Sequence, residues 1–179
     1  MNYAASSISN KLDTYKKPLL FFFFSVILLV GISIHRDYGV SADEGISRYN
    51  AIVTAKYVIG LFKPDFGKAD STYTHISSLY QWKDKDYGVA FELPVWTLEK
   101  LLRLEDVRDI HVLHHLCIFL VFWVSILFFY LLVKERYQSW KMGLLGAALL
   151  VLSPRIFADA FYNSKDLVFM SFFIIGIYT

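Results

Sequence analysis

The sequence predicts an all-α integral membrane fold, and three observations carry that expectation. Of 179 residues, 56% are hydrophobic and 18% aromatic, and the mean hydropathy is +0.44, more apolar than an ordinary soluble domain. Apolar runs of near-membrane length recur along the chain. Cationic residues gather beside alternate runs, as they do in short cytoplasmic loops. The formal net charge of +2 carries little information, and no nucleic-acid partner is expected.

Residues 1–17 read as a cytoplasmic tail whose polar beginning, Met1 to Asn10, is expected to be disordered. The first span, 18–34, holds Phe21 to Phe24 and Val26 to Val30 without a charge. Its length gives roughly 26 Å at ~1.5 Å per residue, enough for a thin bilayer. A cleaved signal peptide is the competing account, since Lys16-Lys17, an apolar stretch and Val40-Ser41-Ala42 imitate the three-part layout. The apolar core is long for a signal, and His35-Arg36-Asp37 crowds the cleavage region.

The outer loop, 35–110, is too long for a plain connector and predicts two helices along the membrane surface. In the first, Ile46, Tyr49, Val53, Tyr57 and Leu61 recur at helical spacing, with Asp43 and Glu44 in the first turn. In the second, Pro94 marks a helix start and Leu93, Trp96, Leu101 and Leu104 mix with Glu99, Lys100, Arg103 and Glu105. Between them, Lys63 to Gly67 and Lys83 to Gly88 read as turns, and Tyr73, His75, Tyr80 and Trp82 can line or pack on a surface.

A second span, 111–133, leads through a cytoplasmic loop, 134–141, to a third, 142–157, and an outer loop, 158–166. The last run, 167–179, is roughly 20 Å long, too short to cross, and is expected to be a truncated fourth helix. Lys11, Lys16 and Lys17, with Lys134, Arg136 and Lys141, put both of their segments on the cytoplasmic side. Asp43-Glu44 and Ser153 to Asp166 then share the opposite face. Cys117 is the only cysteine, so no intrachain disulfide forms.

Two acids at the outer mouth of a membrane helix are costly, so Asp43-Glu44 reads as a site. The structural alternative is a capping box, with Ser41 and Glu44 satisfying each other's backbone N–H groups. The two are compatible, for the cap can consume Glu44 and leave Asp43 free. Arg155, Asp159, Asn163, Lys165 and Asp166 follow on the same face, and cations there can hold a phosphate opposite a general base. Arg155 and Lys165 can equally snorkel to lipid headgroups, with Asp159 paired to either. His111, His114 and His115 invite a zinc proposal, because i, i+4 histidines share a helical face. Without the glutamate of a His-Glu-x-x-His helix, interfacial or hydrogen-bonded histidines are the preferred reading. No metal or other cofactor is indicated.

The stretch Asp43-Glu44-Gly45-Ile46-Ser47-Arg48-Tyr49, the amphipathic surface helix and the Pro154-Arg155…Asn163…Asp166 turn resemble membrane glycosyltransferases of the GT-C type. The most similar group contains the protein O-mannosyltransferases and the lipid A aminoarabinose transferases, here matched only over their amino-terminal part. The resemblance implies transfer of a sugar, with inversion, from a polyprenyl-phosphate donor to a lipid, glycan or protein acceptor on the outer membrane face. It assigns Asp43 as general base and Glu44 as acceptor-orienting residue or cap. Arg155 and Lys165 would neutralise the donor phosphate. Arg48, Tyr49, Asn163 and Asp166 would support them, Asp166 by fixing a cation or a sugar hydroxyl. The lipid tail would lie against Phe119, Phe122, Trp123 and Phe128-Phe129, unless those aromatics simply pack. The implied setting is a multi-pass protein of the bacterial inner membrane with a cytoplasmic amino terminus, or of the endoplasmic reticulum. The histidines depart from the pattern, and so does the missing carboxy-terminal half. The alternative is a non-catalytic small membrane protein or inactive fragment acting as a scaffold.

Overall fold

A computed structural model describes residues 13–63 and 74–179. The expected tail at Met1 to Asn10, Lys11, the turn from Pro64 to Gly67 and Tyr73 lie outside the described residues. Seven longer helices follow in order: α1 (Lys16–Ile34), α2 (Glu44–Phe62), α3 (Glu92–Leu101), α4 (Val107–Tyr137), α5 (Trp140–Leu152), α6 (Pro154–Tyr162) and α7 (Asp166–Tyr178), with one 3-10 turn at Leu79–Gln81. No strand occurs among the described residues.

α4 is the axis on which α1, α3, α5, α6 and α7 pack, while α2 packs on α3. Its 31 residues extend about 46 Å, past both ends of the expected 111–133 span. Charged flanks escape a hydropathy pattern but still propagate a helix. Asp106 caps the start by accepting from the Arg108 N–H at 2.7 Å. Lys134 and Arg136 sit in the last turn, where the helix dipole favours cations. Gln138, at φ 49°, then reverses the chain into α5. The return is close because Gly143 faces α4: a Cβ there would stand 2.8 Å from the Tyr130 carbonyl oxygen. Ala147, four residues on, is fully buried, completing the small-residue seam that lets membrane helices touch backbones.

The expected straight third span, 142–157, is corrected. α5 stops at Leu152, and α6 leaves it at 67°. Pro154 explains the break, because its ring disfavours the α conformation at the residue before it; Ser153 is extended at ψ 110°. Proline then sits at the first position of α6, where its missing N–H costs nothing. α1 and α4 are long and apolar enough to cross a membrane, and α5 with α6 makes a third candidate if the bent pair counts as one span. α7, with 13 residues, is a shorter apolar helix.

The core joins Phe24 and Ile27 of α1, Ile118, Phe119, Phe122 and Ile126 of α4, Ala160 and Phe161 of α6, and Leu167 and Val168 of α7. Phe119 and Phe161 stack with ring planes 1° apart. Gly31 makes room for the Phe119 ring, which a Cβ on Gly31 would meet at 1.9 Å. Phe119 and Phe122 are therefore packing residues, the alternative to the lipid-tail surface that the resemblance implied. The Trp123 indole donates to the Phe24 carbonyl at 3.0 Å.

α2 and α3 form a smaller layer against one end of α4, with Ala51, Ala55 and Trp96 at its centre. The buried face of α2 carries Glu44, Ser47, Asn50, Ala51 and Ala55, whereas Ile46 of the expected apolar face is exposed. Two of the polar residues find partners inside: Glu44 meets His111 and His115 of α4, and Asn50 accepts from the Trp82 indole at 2.6 Å. Leu104 lies beyond α3.

Candidate functional site

Glu44 opens α2 and is 4% exposed. Its Oε1 accepts from the Ser41 N–H at 2.7 Å, which is half of the expected capping box. The other half is replaced: the Glu44 N–H donates to the Ser41 carbonyl at 3.3 Å rather than to its hydroxyl. Oε2 lies 3.1 Å from His111 Nδ1 and 3.1 Å from His115 Nε2. Residues four apart share a helical face, so one carboxylate engages both rings. His115 Nδ1 also stands 3.2 Å from the His35 carbonyl oxygen, so the ring bridges that carbonyl and the carboxylate. Burial pushes the Glu44 carboxyl up, but hydrogen bonds from His115, the Ser41 backbone and His111, with the His115 charge, outweigh it and leave it below the ordinary range. Glu44 thus ties the start of α2 to α4, and it also lines the cleft between α2 and the α6–α7 turn.

Two further acids extend this seam. Glu99 is fully buried and takes two hydrogen bonds from Arg48, at 2.8 Å and 2.6 Å. Burial raises its carboxyl, and the Arg48 fork with the Lys100 charge reverses that to a net lowering. Glu92, one helical face earlier on α3, is pushed up mainly by burial, partly offset by the Ser164 hydroxyl. Its Oε2 has no hydrogen-bond partner, standing 3.5 Å from His114 Nδ1. Arg48 and Tyr49, expected as supporting residues, hold the layer together. The Tyr49 hydroxyl accepts from the Ser77 N–H at 3.3 Å, and its ring packs on Trp82 at 4.7 Å.

Asp43 behaves differently. It stands 72% exposed, with Oδ2 3.9 Å from Lys165 Nζ. Both line an open cleft of about 250 Å³ between Ser41 to Ser47 of the α2 start and Tyr162 to Asp166 of the α6–α7 turn. Lys165 Nζ also lies 4.8 Å from the centre of the Tyr87 ring, a cation–π contact that fixes where the ammonium points. Asn163 and Asp166 border the cleft and satisfy one another: the Asp166 N–H donates to Asn163 Oδ1 at 2.9 Å, and Asn163 Nδ2 donates back to the Asp166 carboxylate at 3.3 Å. That reciprocal pair fastens the start of α7.

Arg155 is not brought in. It is 93% exposed on α6, 3.9 Å from Asp159, and does not line the cleft. A second cavity, about 400 Å³, shares Ser47, Ser164, Lys165 and Asp166 with the first and continues over Tyr87, Phe91, Val168, Phe169 and Phe172. The two together make a polar mouth opening into an apolar groove. Chemically, an exposed carboxylate next to one ammonium can take a proton beside a bound anion. Among the described residues no group of three or more His, Cys, Asp or Glu is arranged to hold a metal ion.

No protein-family model matches the sequence, and neither a curated protein nor a solved structure matches it. The class defined by the fold is therefore that of an all-helical chain with two or three helices able to cross a membrane.

Proposed function

We propose that this chain is part of a glycosyltransferase that moves a sugar from a polyprenyl-phosphate donor to a lipid, glycan or protein acceptor at the outer face of a membrane. The observation that carries this reading is the cleft in which exposed Asp43 stands 3.9 Å from Lys165, continuous with an apolar groove along α7. Asp43 accepts the proton of the acceptor as its oxygen or nitrogen attacks the anomeric carbon. The donor's C–O bond breaks on the opposite side, and Lys165 neutralises the departing phosphate. Exposed Phe169 and Phe172 suit an isoprenoid tail, which takes the place first given to Phe119 and Phe122. Arg155, remote from the cleft, has no part in this scheme, and Glu44 acts by holding the first turn of α2.

The test is sugar transfer from a radiolabelled polyprenyl-phosphate donor by the full-length protein in liposomes. A general base contributes roughly 10²–10⁴-fold, so Asp43→Asn is expected to slow transfer by at least about 100-fold at unchanged donor KM. Lys165→Ala is expected to raise the donor KM as well. Undiminished transfer by Asp43→Asn removes it from the base role.

A further inference from the structure

At the end of α1 and α4 opposite the cleft, three helix termini border a further open, polar cavity of about 440 Å³. Lys16 enters it from the start of α1, Lys134 from the end of α4 and Lys141 from the first turn of α5. Two acids, Asp13 and Glu135, complete its charge. Each is positioned by an aromatic donor: Trp140 Nε1 bonds the Asp13 carboxylate at 2.6 Å, and the Tyr178 hydroxyl bonds Glu135 at 3.1 Å. Those neutral donors hold the two carboxylates in place. The Lys141 ammonium lies 5.7 Å from the centre of the Trp140 ring. Lysines placed singly around helix ends would splay into solvent; here they converge on one concavity from three helices.

We infer that this cavity binds the headgroup of a monoanionic phospholipid whose polar end carries hydroxyls, with phosphatidylglycerol as the type. The three ammoniums and two carboxylates leave one net positive charge, which matches one phosphodiester. The lysines take the phosphate oxygens as charge-assisted acceptors, and the carboxylates accept from the headgroup hydroxyls. Position agrees with chemistry, because the ends of two candidate membrane-crossing helices set the cavity at headgroup depth, and Trp140 is the residue type that settles there. The site is independent of the glycosyl-transfer reading, since none of its residues borders the cleft.

The test measures binding of short-chain phosphatidylglycerol to the full chain in neutral detergent by native mass spectrometry. Phosphatidylcholine, phosphatidylethanolamine and inorganic phosphate serve as separate arms. Phosphatidylglycerol is expected to bind best and to weaken as salt is raised. At roughly fivefold per lysine, Lys16→Gln with Lys134→Gln is expected to weaken it about 25-fold. Lys17→Gln, which lies outside the cavity, is expected to leave binding unchanged. Equal affinity for either zwitterionic lipid overturns the inference, as does inorganic phosphate binding as tightly as the lipid. So does salt-independent binding of the unaltered protein, an outcome that does not depend on any variant folding.

Discussion

The apolar core around Phe119 and the polar seam around Glu44 both pack against α4, yet they are held by different physics. In the core, flat rings and a missing Cβ at Gly31 create a fit whose stabilisation comes from buried area and dispersion. In the seam, Glu44, Glu92 and Glu99 are as buried as the core phenylalanines; Glu44 and Glu99 take partners from another helix, while burial favours the neutral form of Glu92. The contrast teaches that carboxylates on this side tie helix to helix, Glu44 joining α2 to His111 and His115 of α4 and Glu99 joining α3 to Arg48 of α2. Beside them lies an apolar centre of Ala51, Ala55 and Trp96, with Ile52, Ile59 and Leu93 packed against it. Burying carboxylates costs free energy, so the seam contributes geometry more than stability.

The sharpest way to break this comparison is at its two centres. Phe119→Ala is expected to cost about 3–5 kcal/mol in reversible unfolding in mixed micelles. Arg48→Ala leaves fully buried Glu99 without its fork and is expected to cost about 3 kcal/mol. If Arg48→Ala proved neutral, charge matching would not be what holds the layer.

Glu92 and Glu99 sharpen the same contrast with opposite pH signs. Glu99 titrates below its ordinary 4.5 in the fold, so its contribution is present above pH 4.5 and is lost as pH falls through the lower folded value. Glu92 titrates above 4.5, so folding favours its protonated form; that contribution is complete below pH 4.5 and is lost as pH rises through the raised value. Glu92→Gln is accordingly expected to raise the melting temperature at pH 8 by about 3 °C, the size of a ~1 kcal/mol change. The gain should vanish at pH 4. The smallest effect belongs to Asp43→Asn: an exposed side chain outside both regions is expected to change stability by less than about 0.5 kcal/mol, although transfer collapses. A large melting shift there would make Asp43 a member of the seam.

Much of the helical plan could be read from residue pattern alone. The apolar runs at 18–34 and 111–133 became α1 and α4, and the spacing of the outer loop anticipated α2 and α3. The site was legible in part. Asp43 and Lys165, expected together, line one cleft, while Arg155 lies outside it on α6, beyond the break at Pro154. That proline was a visible signal for the break, and an unbroken apolar count concealed it. The partners of Glu44 were hidden for another reason: His111 lies 67 residues away and His115 lies 71 away, and local periodicity says nothing about which helices meet. Glu92 and Glu99, seven apart on one face, carried a signal as well. Their charge made that face look wet.

The bend between α5 and α6 also sets an altitude. α5 has 13 residues and climbs only about 20 Å, short of the ~30 Å hydrocarbon slab, while α4 rises well beyond it. In a bilayer, the α6–α7 turn that carries Lys165 therefore forms a ledge recessed beside a tall mast. A ligand dissolved in water has to descend to that ledge, whereas one tethered in the leaflet arrives by sliding sideways along Phe169 and Phe172. For the lipid-linked donor proposed above, the kink would turn a search through three dimensions into one confined to a plane.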